Sequence, residues 1–482
     1  MTENSTLTSH PWFFCGIGGS GMLPLALILR GLGADVAGSD RGRDQGRTPE
    51  KFSWLESLGF TLFPQDGSGI TGAEQVLVAS AAVEDTVPEM VRAKELGCPR
   101  MSRAQLLSEL FNAAPQRIAV GGTSGKSTVT GMIGWIMTAT GRDPTIMNGA
   151  VMKNFRAPDA PFASARVGSG GFFVSEVDES DGSIALYNPV VAVLNNVSLD
   201  HKSLEELRAL FGDFLARAQI AVINLDDGES AGLMHRAQKA ITFGLRTYEE
   251  HDDQDEADIG VTPGSIVEGP TSIAAQIVDR RKGRDYALTL KVPGRHNLAN
   301  ALAAIAAADA AGVQVAQAVA ALSSFEGLAR RFDIVGTSPS GITVIDDFGH
   351  NPDKVSATLK TLKSHPGRVI AFFQPHGYGP LRQMGAELAQ VFADLLDPED
   401  QVFLCDPVYF GGTVDRSEGS ERIIRLIAEG STSAPYAQYV PTRDTCGEAM
   451  SALAQPGDRI VVMGARDDTL SLFAADLLKG LK

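Results

Sequence analysis

The chain has 482 residues, 44% hydrophobic and 21% charged, with a formal net charge of −16. That length predicts two to four domains, and the acidic balance excludes nucleic-acid or membrane binding through a general basic surface while leaving nucleotides open. Cys15, Cys98, Cys405 and Cys446 are far apart with no C-x-x-C spacing, no apolar run of about eighteen residues occurs and no basic leader is present, so a cytoplasmic protein without disulfides, metal cluster or membrane insertion is expected.

In chain order, Trp12-Phe13-Phe14-Cys15 reads as a first strand. The turn Gly16-Ile17-Gly18-Gly19-Ser20-Gly21 follows, then an apolar helix from Met22 to Leu32. A second strand, Asp35 to Ser39, ends at Asp40. This is the βαβ dinucleotide fingerprint, with an acidic residue about twenty positions on. It does not say which nucleotide or nucleotide-sugar is bound. The block runs to about Ala114, where Asn112-Ala113-Ala114-Pro115 reads as a linker.

The second block opens on the strand Arg117 to Gly121, the loop Gly122-Thr123-Ser124-Gly125-Lys126-Ser127-Thr128, and a helix from Val129 to Met137. Strand, glycine turn, lysine, hydroxyl and helix together hold a nucleotide triphosphate. Glycines let backbone N–H groups approach phosphate, and the helix N-terminus adds partial positive charge. Lys126 can reach the outer phosphates and the Ser127 hydroxyl can ligate Mg²⁺. The spacing is shorter than an ordinary P-loop, because Val120 stands where that pattern has its first glycine. Gly171 to Ser175 reads as a strand delivering Glu176, ahead of Asp178, Glu179 and Asp181. A carboxylate at a strand end beside a phosphate loop suits a Mg²⁺ ligand; the alternative is a helix-capping turn. Another buried strand, Val190 to Asn196, leads to Asp200-His201 at the same sheet edge, which marks His201 as a candidate functional group. Glu249 to Asp258 reads as a solvated acidic loop, and the alanine-rich Ala299 to Ala321 as packed helices. The third block starts near Arg330, with strands at Ile342 to Ile345, Arg368 to Phe373 and Arg459 to Met463.

Taken together these residues resemble the ATP-dependent Mur ligases, the amide-forming enzymes of peptidoglycan precursor synthesis, and within them the alanine-adding branch. The resemblance covers nearly the whole chain. Besides the two glycine loops it rests on Gly38-Ser39-Asp40, Val78 to Ala81, Arg103 to Leu107, Glu176 to Asp181, Asn196 to His201 and Pro293 to Asn300. In the third block it rests on Arg330 to Asp333, Asp346 to Pro352 and Gln374 to His376. It implies an α/β protein of three domains. Residues 1–114 are an N-terminal Rossmann-like UDP-sugar-binding domain. Residues 115–328 are a central P-loop ATPase-type domain with a parallel or mixed sheet, and residues 329–482 a C-terminal Rossmann-like domain that binds the amino acid. ATP and Mg²⁺ are the implied cofactors. The implied small-molecule substrates are a UDP-N-acetylmuramate-type sugar nucleotide and an amino acid, L-alanine by default. A monomer or homodimer is expected.

By the same resemblance Gly16, Gly18, Gly19, Ser20 and Gly21, with Asp40 and Ser80, hold the UDP-sugar. Residues Gly122 to Thr128 hold ATP, with Lys126 bridging the outer phosphates. Ser127, Glu176 and His201 are the implied Mg²⁺ ligands. His296, Asn297 and Asn300 resemble the adenine-side motif. Arg331 resembles the cation that meets the γ-phosphate, with Asp346 or Asp347 positioning the nucleotide. Phe348, His350, His376 and Arg382 fall where the amino acid is received. There are departures. Ser124 and Ser127 replace a histidine and a threonine, and Phe348 and Asn351 replace a tyrosine and a histidine. Gly377-Tyr378-Gly379-Pro380 stands where basic residues follow His376 in the family, leaving Arg382 to supply a carboxylate clamp. Other readings are a ligase that recycles a tripeptide, a specialised paralogue acting on another acid or amine, and a weakly active regulatory paralogue. The first loop and the lack of a lysine in Leu215-Ala216-Arg217-Ala218 favour the alanine-adding branch.

Overall fold

The computed structural model describes residues 9–81, 83–198, 202–246, 256–408, 415–430 and 434–481. These form two compact units. One comprises the chain through 267 with 274–291 and 297–327; the other comprises 268–273, 292–296 and 328–482.

In the first unit, β1 (Trp12–Cys15), α1 (Met22–Gly31), β2 (Val36–Ser39), β3 (Thr61–Phe63), β4 (Val76–Ala79) and β5 (Arg100–Ser102) build a sheet ordered β3-β2-β1-β4-β5. Every pairing is parallel. Such sheets are covered on both faces, so β1 is apolar and buried at all four positions. α2 (Arg103–Ala113) follows directly on β5. Its start is fixed by a capping box in which Ser102 and Gln105 satisfy each other's backbone N–H.

The second sheet of this unit is centred on β6 (Gln116–Gly121), which feeds α3 (Lys126–Ala139). β7 (Thr145–Met147), β8 (Phe172–Glu176), β9 (Val191–Leu194), β10 (Ile220–Asn224) and β11 (Ala240–Phe243) give the parallel order β11-β10-β9-β6-β8-β7. Val120 lies opposite Glu176, and Gly121 opposite Leu194. The ends of β8 and β9 therefore flank the loop leaving β6. One apolar cluster runs through both sheets. Phe111 of α2 meets Phe173 and Tyr187 edge-on at 5.6 and 5.2 Å. The alanine-rich stretch folds as α4 (Arg295–Ala310), buried along most of its length, and a shorter helix, Val315–Leu322. Most of the acidic run 249–258 lies outside the described residues. Asp258 is described, and its carboxylate accepts from Thr242 N and Oγ1.

The second unit holds β12 (Asp333–Thr337), β13 (Thr343–Asp347), α5 (Pro352–Lys363), β14 (Val369–Gln374), α6 (Tyr378–Leu395), β15 (Gln401–Leu404), β16 (Tyr436–Tyr439), β17 (Arg459–Gly464) and α7 (Leu470–Gly480). The sheet order is β12-β13-β17-β14-β15-β16, parallel except for β12. Alternate residues of the central strands feed two cores. Val369, Ala371, Phe373 and Met463 pack with α5 and α6, while Ile370, Phe372, Ile460 and Val462 pack with α7.

Candidate active site

At the edge of the first sheet the chain leaves β1 through Gly16. Gly18 N donates to Asp40 Oδ2 at 2.8 Å, and Gly42 N to Oδ1 at 2.7 Å. A single carboxylate at the end of β2 therefore shapes the glycine turn and starts the next short helix. A Cβ on Gly18 would sit 2.9 Å from the Phe52 ring and 3.0 Å from Asp40 Oδ2, so only glycine fits. Lys51 Nζ donates to Gly18 O at 3.2 Å. Gly19 and Ser20 are exposed beyond this turn, and Ser80 is half-buried at the end of β4. Arg103 lies against Gly21, and its Nη2 is 3.7 Å from both Asp178 and Asp181 of the second sheet's acidic turn.

The loop between β6 and α3 is braced by amides. Asn195 Nδ2 donates to Ser124 O at 2.9 Å and to Asn300 Oδ1 at 3.1 Å. Asn196 Oδ1 accepts from Ser124 N at 2.8 Å, and Thr123 N donates to Asn196 O at 3.0 Å. Gly125 sits at φ +86°; a Cβ there would overlap Asn195 Nδ2 and lie 2.6 Å from Asn300 Oδ1. Lys126 Nζ donates to Gly122 O and to Glu179 Oε2, both at 2.7 Å. Ser127 Oγ donates to Glu176 Oε2 at 2.7 Å, and Gly149 N donates to the other oxygen of the same carboxylate. Thr128 follows, half-buried, in the first turn of α3.

The four acids of this segment do separate work. Glu176 holds Ser127 and Glu179 pairs with Lys126. Asp178 and Asp181 accept backbone N–H from Ser180 and Ser183, forming turns. The Ser127 hydroxyl and Glu176 carboxylate are a pair of hard oxygens suited to Mg²⁺, which takes one or two carboxylates and completes its octahedron with phosphate and water. Among the described residues no group of three or more His, Cys, Asp or Glu gathers to make an all-protein cage, as that coordination habit allows. His201 lies outside the described residues.

The edge of the third sheet is built differently. Arg330, at φ +60°, donates from Nη2 to Gly464 O at 2.7 Å and from Nη1 to Asp467 O at 3.0 Å, and its Nε is 3.4 Å from Asp346 Oδ1. Burial pushes the Asp346 carboxyl up to about 6, against the pull of Arg330 and a hydrogen bond from Ser471. Asp347 accepts from Phe332 N, Gly349 N and Thr358 Oγ1 at 2.6, 2.7 and 3.0 Å, which fixes the turn after β13. That turn presents Phe348, with the Arg330 and Arg331 guanidinium carbons 5.0 and 4.5 Å from its centroid. His350 stands edge-on to Phe348 at 5.3 Å and to His376 at 5.1 Å. Burial, with help from Lys354, pushes the His350 imidazole down to about 3, so it is neutral at neutral pH. Arg382, on α6, is exposed and donates to Asp415 O at 2.8 Å.

Three family models match in succession: the Mur ligase family catalytic domain over residues 13–114, the Mur ligase middle domain over 120–308 and the Mur ligase glutamate ligase domain over 330–466. The chain is 35% identical to a UDP-N-acetylmuramate–L-alanine ligase of Synechococcus sp., covering 95% of this chain and 84% of that one. It is 34% identical to the enzyme of that name from Geobacter sulfurreducens, covering 94% of each. The chain belongs to the Mur ligase family. The ligase shares its fold with a UDP-N-acetylmuramate-alanine ligase of Thermotoga maritima, at TM-score 0.77, 24% identity and 98% coverage of both chains. A murein peptide ligase of Psychrobacter arcticus matches at TM-score 0.71, 25% identity and 98% coverage of both chains. The chain of 482 residues is thus an ATP-dependent, amide-forming ligase of peptidoglycan synthesis.

Within the ligase, Lys126, Ser127, Glu176, Asn297 and Asn300 gather around the Gly122–Gly125 loop. Asp347, Phe348, His350, His376 and Arg331 gather at the third sheet's edge. His296 is exposed on α4, one residue before buried Asn297. Several participants carry no individual role in the sequence reading. Glu179 reads as one member of an acidic run, yet its carboxylate pairs with Lys126. Asn195 and Asn196 had a visible signal, an amide pair at a strand end. Asp467, which accepts from Gln374 Nε2 at 2.8 Å and Arg443 Nη1 at 3.2 Å, had none.

Proposed function

We propose that the ligase joins the carboxylate of UDP-N-acetylmuramate to the amino group of L-alanine. The observation that carries this reading is the run of relatives bearing that activity in their names, each aligned over nearly the whole chain. The substrate carboxylate attacks the γ-phosphorus of ATP and ADP leaves. The amine then attacks the acyl carbon, inorganic phosphate departs, and the nitrogen loses a proton. A carboxylate is a poor acyl donor; the phosphate makes a good leaving group.

In this reading Gly16 to Gly21, with Asp40 and Ser80, take the UDP-sugar diphosphate and ribose, and Gly122 to Thr128 take the ATP phosphates. Lys126 exchanges its ion pair with Glu179 for the outer phosphates. Ser127 and Glu176 would hold Mg²⁺, with His201 as a further ligand, and the ion would offset repulsion between carboxylate and triphosphate. Asn297 and Asn300, with His296, border the adenine, while Arg331 and Asp347 serve the γ-phosphate side. Phe348, His350, His376 and Arg382 receive the amino acid. The three domains divide near residues 114 and 328, and the enzyme works in the cytoplasm as a monomer or homodimer. Gly377, which puts no side chain after His376, favours one second reading: the murein peptide ligase activity, with a peptide as the amine.

Phosphate release from purified enzyme and ATP, over a matrix of UDP-sugars and amines with Mg²⁺ titrated, tests this. Turnover that requires UDP-N-acetylmuramate and L-alanine supports it. Turnover with a tripeptide and none with L-alanine overturns the choice of amine. A Glu176→Gln variant with unchanged Mg²⁺ requirement overturns the metal assignment.

A further inference from the structure

The two central strands of the third sheet, β14 and β17, run side by side with Gln374 opposite Gly464. From their carboxyl ends the chain departs in opposite directions. α6 packs on one face of the sheet with Phe373 and Ala371, and α7 on the other with Phe372 and Val462. Divergence of this kind opens a crevice above the strand ends, which is where open α/β sheets bind ligands. Its two lips are the segments Pro375 to Gly377 and Ala465 to Asp467. They are tied at the base, since Gln374 Nε2 donates to Asp467 Oδ2 at 2.8 Å.

Arg466 sits on the second lip at φ +62°. A residue with a Cβ pays for the left-handed conformation, and such outliers concentrate where a side chain has work to do. The neighbouring cations are already engaged. Arg330 is bonded to Gly464 O, Asp467 O and Asp346, Arg443 to Asp467 and Thr469, and Arg382 to Asp415. The Arg466 side chain is exposed, with no ion-pair partner among the described residues. The opposite lip ends at Gly377, which has no side chain.

We infer that Arg466 is a specificity-determining residue whose guanidinium grips the carboxylate of the incoming amino acid, in place of a cation after His376. This rests on the reading that the amine substrate is an amino acid. A planar fork suits a carboxylate because two N–H groups bond its two oxygens at once.

The test is the ratio of kcat/KM for the preferred amino acid to that for its carboxamide, in the wild type and in Arg466→Gly, Arg466→Asn and Arg382→Ala. Glycine and asparagine tolerate the left-handed position, so the fold should persist, with an unfolding midpoint held or raised. The ratio should fall about tenfold to a hundredfold in Arg466→Gly and Arg466→Asn, the worth of a charged hydrogen bond, through a higher amine KM. Arg466→Lys should fall between. A ratio that stays put in both Arg466 variants overturns the inference, and one that collapses only in Arg382→Ala moves the clamp to α6. If the preferred amino acid is not L-alanine, the substrate reading fails while the ratio still judges Arg466. If the preferred amine carries no carboxylate, both fail.

Discussion

The phosphate loop between β6 and α3 and the edge of the third sheet both need left-handed backbone, and they meet the need in opposite ways. The phosphate loop uses glycine, with Gly122 at φ +133° and Gly125 at φ +86°. The third sheet places Arg330, Phe332 and Arg466 there, at φ +60°, +48° and +62°. Glycine adopts that region without steric cost, whereas a side chain costs roughly 1–2 kcal/mol. In the proposed function the loop brings backbone N–H groups close to phosphate, where a side chain would obstruct. At the third sheet the side chain is what is wanted. Arg330 ties β13 to the end of β17, Phe332 is buried, and Arg466 is presented outward.

If Arg330 earns its strained position, Arg330→Ala should have the largest effect on stability. It removes two carbonyl bonds and leaves Asp346, 2% exposed, without its cation. Removing one partner of a buried pair costs about 3–5 kcal/mol, read as a fall in the urea midpoint. A loss under about 1 kcal/mol would break the contrast. Next, Lys126→Ala should lower phosphate release by roughly 10²–10³-fold, the loss of one strong transition-state contact. Lys126→Ala/Glu179→Gln should recover stability but not rate; recovery of both would reduce Lys126 to a structural partner of Glu179. Smaller still, Asn195→Ala unpins Ser124 and Asn300 and should cost about 1–3 kcal/mol, with a raised KM for ATP. Gly125→Ala should also destabilise, opposite in sign to Arg466→Gly, and a common sign would refute the division between the two loops.

The subtlest difference is in pH. Asp346, raised to about 6, holds its proton to higher pH in the folded state than in the unfolded chain. Its contribution is full below the ordinary aspartate value and is lost as pH rises through about 6. His350, depressed to about 3, resists protonation. Its contribution is present above the ordinary histidine value and is lost as pH falls toward 3. Between pH 4 and 6 the two oppose. Asp346→Asn should therefore make stability climb more steeply with pH across that window, and His350→Gln less steeply. Unfolding midpoints at pH 4.5 and 6.5 measure both, and parallel profiles would discount these groups.

Local signals were legible wherever chemistry and chain order coincide. The apolar runs before each glycine turn gave β1, β6, β14 and β17 within a residue or two, because a parallel strand buried on both faces must be apolar throughout. The placing of Lys126-Ser127 and Glu176 together at neighbouring strand ends was legible because each follows an apolar run that reads as a strand. What the sequence could not decide is pairing over distance. Glu179 meets Lys126 across 53 positions, Asn300 meets Asn195 across 105, and Arg330 meets Gly464 and Asp467 across 134 and 137. Each depends on which strands become neighbours, and strand order is settled by burial of the whole sheet. Even the strain at Arg466 is invisible in a sequence, where an arginine in a loop is an ordinary surface residue. Only the tertiary structure shows its backbone to be left-handed and sets it just beyond the paired ends of β17 and β14.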